Sequence, residues 1–268
     1  MSNTAVIIEK WYKKLNFNSK YDAEFYEVLN TITIPEDTSI SNYPLDSMED
    51  GKRNLLAFLY MCEALQARYE EKGISEEILL DTLSDIVRWC DTWSEVKGEL
   101  FLGETGWLSR SMNFYLFKIG RLQYCIHSVT EKFTQFGMKM GESFIGVHIP
   151  PNAPFGVEDC KKSLDMAREF FAKYFPDMQY SYFSCFSWLL DDTLKEYLPP
   201  ESNILKFAAM FRIVEACPAD DIIRFVFGET ANRGNIDQWH CRSSFAERIK
   251  AAIQDGKVFY EVRGLIAR

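Results

Sequence analysis

A chain of 268 residues with 47% hydrophobic and 26% charged residues has the length for one large domain or two small ones, with a real core. Its net charge of −9 excludes a broad nucleic-acid-binding face, yet a local site for an anionic cosubstrate stays compatible with it. Seven scattered cysteines without a Cys-x-x-Cys pair, a start that lacks a signal segment, and no apolar run near the ~20 residues of a membrane span argue for a cytoplasmic protein with reduced thiols and no metal.

Residues 1–118 read as helical. Ile8, Trp11 and Leu15 share a face, as do Phe25, Leu29 and Ile32, before Ile34-Pro35 stops the second helix. From about Met48 to Lys72 a longer helix turns Leu55, Phe58, Leu59, Cys62 and Leu65 inward and ends at Gly73. Ser75 caps the next, with Glu76 and Glu77 in its first turn and Leu79, Leu83, Ile86, Cys90 and Trp93 recurring at 4-3-4-3 spacing. Trp107 to Ile119 reads as one more helix. These helices predict a bundle-like layer.

Beyond Gly120 the pattern turns to strands. Leu122, Tyr124 and Ile126 alternate with Gln123, Cys125 and His127, and Ser143–Ile149 reads as the second strand of a hairpin, with 130–142 as its loop. An amphipathic helix over 157–175 carries Leu164, Ala167, Phe171 and Tyr174 on one face and stops at Pro176. Strands are expected over 180–187, 211–216 and 258–267, and helices over 191–197, 220–227 and 243–254. The predicted fold class is α+β, with a helical domain over 1–118 and a mixed-sheet domain over 119–268.

No P-loop, GxGxxG, GxSxG or HExxH motif is present, which removes the commonest nucleotide, hydrolase and metalloprotease readings. His148 stands at a strand end before Pro150-Pro151, where it serves either as a general base or as a strand histidine bonded to backbone. Ser187 shares a strand face with Cys185 and can donate a hydrogen bond, with Trp188 beside it. Ser202-Asn203 reads as an N-cap whose free N–H groups could also hold an anion. Glu215 lies on a strand among apolar neighbours, as a base or on a solvated face. Arg224 belongs to a group of arginines, with Arg212, Arg233, Arg242 and Arg248, that could meet a pyrophosphate.

Five segments, taken together, carry a resemblance: Gly120-Arg121-Leu122-Gln123, Val147-His148-Ile149-Pro150-Pro151, Ser187-Trp188-Leu189-Leu190, Leu198-Pro199-Pro200-Glu201-Ser202-Asn203-Ile204 and Phe225-Val226-Phe227-Gly228. In this order they resemble bacterial acyltransferase-domain proteins that pair a helical N-terminal domain with a GNAT-like C-terminal domain. The resemblance covers essentially the whole chain. It implies an N-acyltransferase in which an amine attacks the thioester carbonyl of acyl-CoA, or of an acyl-pantetheine on an acyl carrier protein.

The resemblance implies a thioester held where two parallel strands splay apart and a pyrophosphate at a helix N-terminus. The family's Gln/Arg-x-x-Gly-x-Gly/Ala signature is missing; the nearest fragment, Asn232-Arg233-Gly234-Asn235, reads as a loop. Phe186 stands where a histidine is expected in some relatives, so no histidine role is carried over there. The expected catalytic residues are His148 or Glu215 as base and Ser187 as donor, with Ser202, Asn203, Trp188 and Arg224 toward the cosubstrate. Competing with transfer to a small-molecule amine are a non-catalytic thioester- or protein-binding module and a thioesterase using Ser187.

Overall fold

The protein is described by a computed structural model covering residues 2–45, 49–151 and 154–268. It divides into two compact units, Met1–Ile119 and Gly120–Arg268. The expected helix start at Met48, and Asn152 and Ala153 of the proline-rich turn, fall outside the described residues.

In the first unit α1 (Asn3–Lys14) is capped by Ser2, and α2 (Asp22–Thr31) follows. The central pair is α3 (Gly51–Lys72) and α4 (Glu76–Lys97). Leu55, Phe58, Leu59, Cys62 and Leu65 of α3 are fully or almost fully buried, as their helical spacing requires. Gly73 ends α3 at φ 67°, a conformation other residues adopt at a cost, and Ser75 accepts the Ile78 N–H to start α4. Trp11 is completely buried while its indole N–H donates to Glu63 (2.8 Å), which also pairs with Lys10.

The end of this unit differs from the sequence expectation. The helix expected through Ile119 is only α5 (Thr105–Met112), and the chain then extends as β1 (Leu116–Ile119). Phe114 adopts φ 66°, which no α-helix continues through, so the apolar run Leu116-Phe117 ends up in a strand.

The second unit holds β2 (Leu122–Ser128), the short α6 (Glu131–Thr134), β3 (Ser143–His148), α7 (Val157–Tyr174) and β4 (Tyr180–Ser187). It continues with α8 (Asn203–Ala208), β5 (Arg212–Pro218), α9 (Asp221–Phe227), α10 (Ser244–Gln254) and β6 (Tyr260–Ala267). The segment expected as plain loop over 130–142 thus contains a helical turn. These five strands run in the order β2-β3-β4-β6-β5. β3 and β4 are parallel and the other three pairings antiparallel, so the sheet is mixed and the fold is α+β.

Strand alternation gives the sheet two unlike faces. One carries Tyr124, Phe183 and Val262 and is covered by α7: Tyr124 meets Phe171 edge-on, and its hydroxyl lies 2.9 Å from Ser163 Oγ. Gly264 belongs to this face, where a Cβ would stand 2.5 Å from Phe211 and 2.9 Å from Leu190. The other carries Phe144, Gly146, Ser184 and Leu265, and only part of it is covered, by Phe133 of α6 with Val129 and Met138 to either side of that helix. A satellite core of Leu194, Ile222, Ile223, Trp239, Ile249 and Phe259 joins α9 and α10 to the turn after β4. No helix among the described residues is long and apolar enough to cross a membrane.

The turn after β4 is fixed by one buried carboxylate. Asp191 accepts the Thr193 N–H (2.9 Å) and, through its other oxygen, the Tyr260 N–H at the start of β6 (2.8 Å). Asp191→Ala removes two charge-assisted bonds and leaves the Tyr260 N–H without its acceptor. The expected loss is about 3 kcal/mol, read as a lower midpoint in denaturant with an unchanged slope.

Candidate active site

Parallel pairing of β3 with β4 is recorded from Ser143↔Tyr180 to Val147↔Cys185, with an irregularity between Ser143 and Ile145. Both strands continue beyond that last pair, β3 to His148 and β4 to Ser187, and β4 stays paired to β6 as far as Ser187↔Val262. The end of the sheet where the two parallel strands part is therefore where His148 stands.

His148 has a second imidazole for company. Cross-strand register puts Cys125 opposite Gly146 and His127 opposite Phe144, and His127 stacks on Phe144 with ring centroids 4.9 Å apart. A Cβ on Gly146 would stand 2.8 Å from His127 Nε2 and 3.2 Å from His148 Nε2. Two of the three histidines of the chain thus approach the bare Cα of Gly146 on the face left partly open by α6. His127 was not singled out from sequence. Its alternation with Tyr124 was visible there, but the partner strand's register was not.

Toward β6 the same face carries charge. Arg263 lies opposite Phe186, its guanidinium 4.4 Å from that ring centroid and 5.1 Å from the ring of Phe133. It donates to Glu215 on β5 (2.9 Å) and to Ser184 Oγ (3.3 Å). Glu261, two residues before Arg263 and on the same side, is half-buried. Desolvation, reinforced by Asp221 and opposed by Arg263, pushes its carboxyl up to about 7.

The structure does not bring the expected residues into one site. His148 and Glu215 belong to the same face, but the carboxylate of Glu215 is held by Arg263. Ser187 faces the other way: it shares the parity of Phe183 and Cys185, and its hydroxyl accepts the Leu189 N–H (3.2 Å) as a cap. Cys185 is buried, and burial pushes its thiol up to about 12, which makes it a poor nucleophile. Trp188 packs against the satellite core, and Arg224 is ion-paired with Glu229. Arg233 pairs with Asp220 (2.8 Å) on the 3-10 helix Arg233–Gln238, which replaces the expected loop.

Ser202 caps α8 by accepting the Ile204 N–H (3.2 Å). Asn203 next to it lines an open groove of about 620 Å³ with Lys206 and the first turn of α7, including Gly156, Glu158 and Lys161. Gly156 caps the 18-residue α7 without a side-chain bond, and with Val157 it lines the groove at the positive end of the helix. Glu158 pairs there with Lys161 (2.7 Å).

Comparison with known proteins fits this arrangement to a family. The description "GNAT-like C-terminal domain" matches residues 116–266, and "N-acyltransferase N-terminal domain" matches residues 15–114. The chain belongs to the GNAT-like N-acyltransferases. Among solved structures, this acyltransferase is similar to an acyltransferase in complex with decanoyl-CoA and teicoplanin, at 21% identity and TM-score 0.81, over 97% of this chain and 87% of the other. A tryptophan-to-alanine variant of an acyltransferase in complex with octanoyl-CoA gives 21% identity and TM-score 0.80 over the same shares. At that identity the likeness establishes the fold. No curated protein matches the chain.

In this acyltransferase Gly146 should be intolerant of a side chain. Gly146→Ala drives a methyl into His127 and must displace at least one imidazole. The expected result is a fall in kcat/KM of about tenfold to a hundredfold in a protein whose far-ultraviolet circular dichroism is unchanged.

Proposed function

We propose that the protein transfers an acyl group from acyl-CoA to an amine on an acceptor of substantial size, at the end of the sheet where β3 and β4 part. The observation that carries this reading is the approach of His127 and His148 to Gly146 beside that opening, in a chain whose family is that of N-acyltransferases. The similar solved structures hold decanoyl-CoA, octanoyl-CoA and, as an amine-bearing partner, teicoplanin; a medium-length acyl donor and a glycopeptide-like acceptor are the corresponding proposals here. Phe186, part-exposed on the same face near the His148 end of the sheet, offers an apolar surface for such an acyl chain.

The reaction forms one C–N bond and breaks one C–S bond. The acceptor ammonium must first lose a proton; the amine then attacks the thioester carbonyl. The tetrahedral intermediate collapses as the nitrogen gives up a second proton and the thiolate takes one up. The products are amide, free CoA thiol and one released proton. One protein group is needed at the ammonium and another at the sulfur. His148, with His127 beside it, supplies one of them. Ser184, whose hydroxyl accepts from Arg263 and keeps its own proton to donate, lies on the histidine face and suits the thioester oxygen better than Ser187 does.

The CoA pyrophosphate is assigned to the groove at the start of α7, with Lys161, Lys206 and Asn203. An acyl carrier protein as donor is the second reading, favoured by the missing Gly-rich phosphate signature. Action in the cytoplasm, where acyl-CoA is made, completes the proposal.

Release of free thiol from decanoyl-CoA, dependent on added amine, tests the reading. His148→Ala is expected to lower turnover by about a hundredfold or more under saturating donor. Full turnover in that variant would remove His148 from the chemistry. Thiol release that needs no amine would indicate a thioesterase, and none with any amine a binding module.

A further inference from the structure

The face that holds the histidines contains one carboxyl group to which the fold gives no task. Glu261 on β6 makes no hydrogen bond or ion pair among the described residues. Its neighbour on the same face, Arg263, is already engaged by Glu215 and Ser184. Half-burying an ionisable group without a partner is costly, and such groups concentrate where a protein uses them.

Register places it relative to the site. Val262 pairs with Ser187 and Arg263 with Phe186, so Glu261 stands just past the end of β4, on the end of the sheet where β3 finishes at His148. β4 is the single strand between β3 and β6, which sets the two backbones roughly 10 Å apart. That is room for a reacting centre reached by an imidazole from one side and a carboxylate from the other.

Resting on the N-acyl-transfer reading above, we propose that Glu261 is the group that takes the proton from the acceptor ammonium, leaving the histidine pair to serve the departing sulfur. The carboxylate accepts one proton from R–NH₃⁺ and passes it to solvent; the resulting amine attacks the thioester carbonyl, and the balance of the reaction is as written above. The charged groups around Glu261 are Arg263 on its own strand, which favours ionisation, and Asp221 at the start of α9, which opposes it. Cys217, directly across on β5, is exposed. Burial prevails and raises the proton affinity of Glu261, so that it titrates near neutral pH, where a general base works best.

The test measures amine-dependent thiol release from decanoyl-CoA, with teicoplanin and with ethanolamine as acceptors, in wild type, Glu261→Gln and Glu261→Asp. Wild-type kcat/KM for the amine should break near pH 7. Glu261→Gln should lose about a hundredfold or more and that break with it, while Glu261→Asp should recover part of the rate. Stability supplies a readout apart from turnover. A carboxyl whose proton affinity rises on folding gives stability that is present at low pH and is lost as pH climbs through about 7. Glu261→Gln should therefore melt higher than wild type at pH 8 and alongside it at pH 4, below the ordinary carboxylate value. An active wild type whose Gln variant keeps its rate and its pH break overturns the role of Glu261 alone. So does a Gln variant that melts lower at both pH values. Wild type releasing no thiol with either acceptor overturns the transfer reading, and this inference with it.

Discussion

The parallel pairing of β3 with β4 is the constraint on which the second unit depends. Every other pairing among β2–β6 is antiparallel, and a parallel neighbour cannot be reached by a tight turn. The chain therefore needs a crossover, and α7 is that crossover. Its apolar stripe, with Leu164, Ala167 and Phe171 buried, settles on the Tyr124 and Phe183 face and closes it. What remains for chemistry is the other face, at the strand ends. There the pairing of β3 and β4 runs out after Val147↔Cys185, and the glycine two residues before His148 lets two imidazoles come down to the backbone. The position of the candidate site is thus a consequence of topology before it is one of residue choice.

Arg263 organises the charge on that face. Its guanidinium is shared among a carboxylate, a hydroxyl and two aromatic rings, and so joins β4, β5, β6 and α6. A partly buried pair of this kind contributes little net stability over an apolar substitute, yet losing one partner strands the other. Glu215 is tied into that pair. The contrast with Glu261 is one of wiring rather than residue type: two glutamates flank one arginine in space, one is bonded to it, and the other is left with its proton affinity raised.

Much of this was legible in the sequence. The β2–β3 hairpin, the crossover helix, the strand at 180–187 and the closing strand all follow from period-2 and period-3.6 patterns bounded by Pro and Gly. The place of His148 at a strand end was legible as well, because a strand stopping before Pro150-Pro151 is a local feature. What failed to show was everything that depends on register. The parity of Ser187 against His148 is fixed only by the pairing of Gly146 with Ser184, and neither strand encodes it alone. Arg263 and Glu261 drew no notice on a terminal strand, because only the place of β6 between β4 and β5 gives them neighbours. β1 was misread because Leu116-Phe117 has no period of its own, and the residue that breaks the helix is a phenylalanine in the left-handed region, with no glycine to announce it.

The absent phosphate signature has a physical sense of its own. Glycines in such a turn let backbone N–H groups approach a pyrophosphate closely, and the helix dipole does the rest. Here α7 follows a proline-bearing segment and begins with Glu158 and Asp159, carboxylates that suit the dipole and oppose a second anion. A phosphate in the groove at this end would have to be met chiefly by side-chain cations, Lys161 drawn from its pair with Glu158 and Lys206 from α8. Lysines are point charges on long stems and carry no fixed sequence spacing across two helices. A site built that way leaves no linear motif, so the missing signature bears on how the cosubstrate's phosphates would be held rather than on whether an acyl thioester can be used.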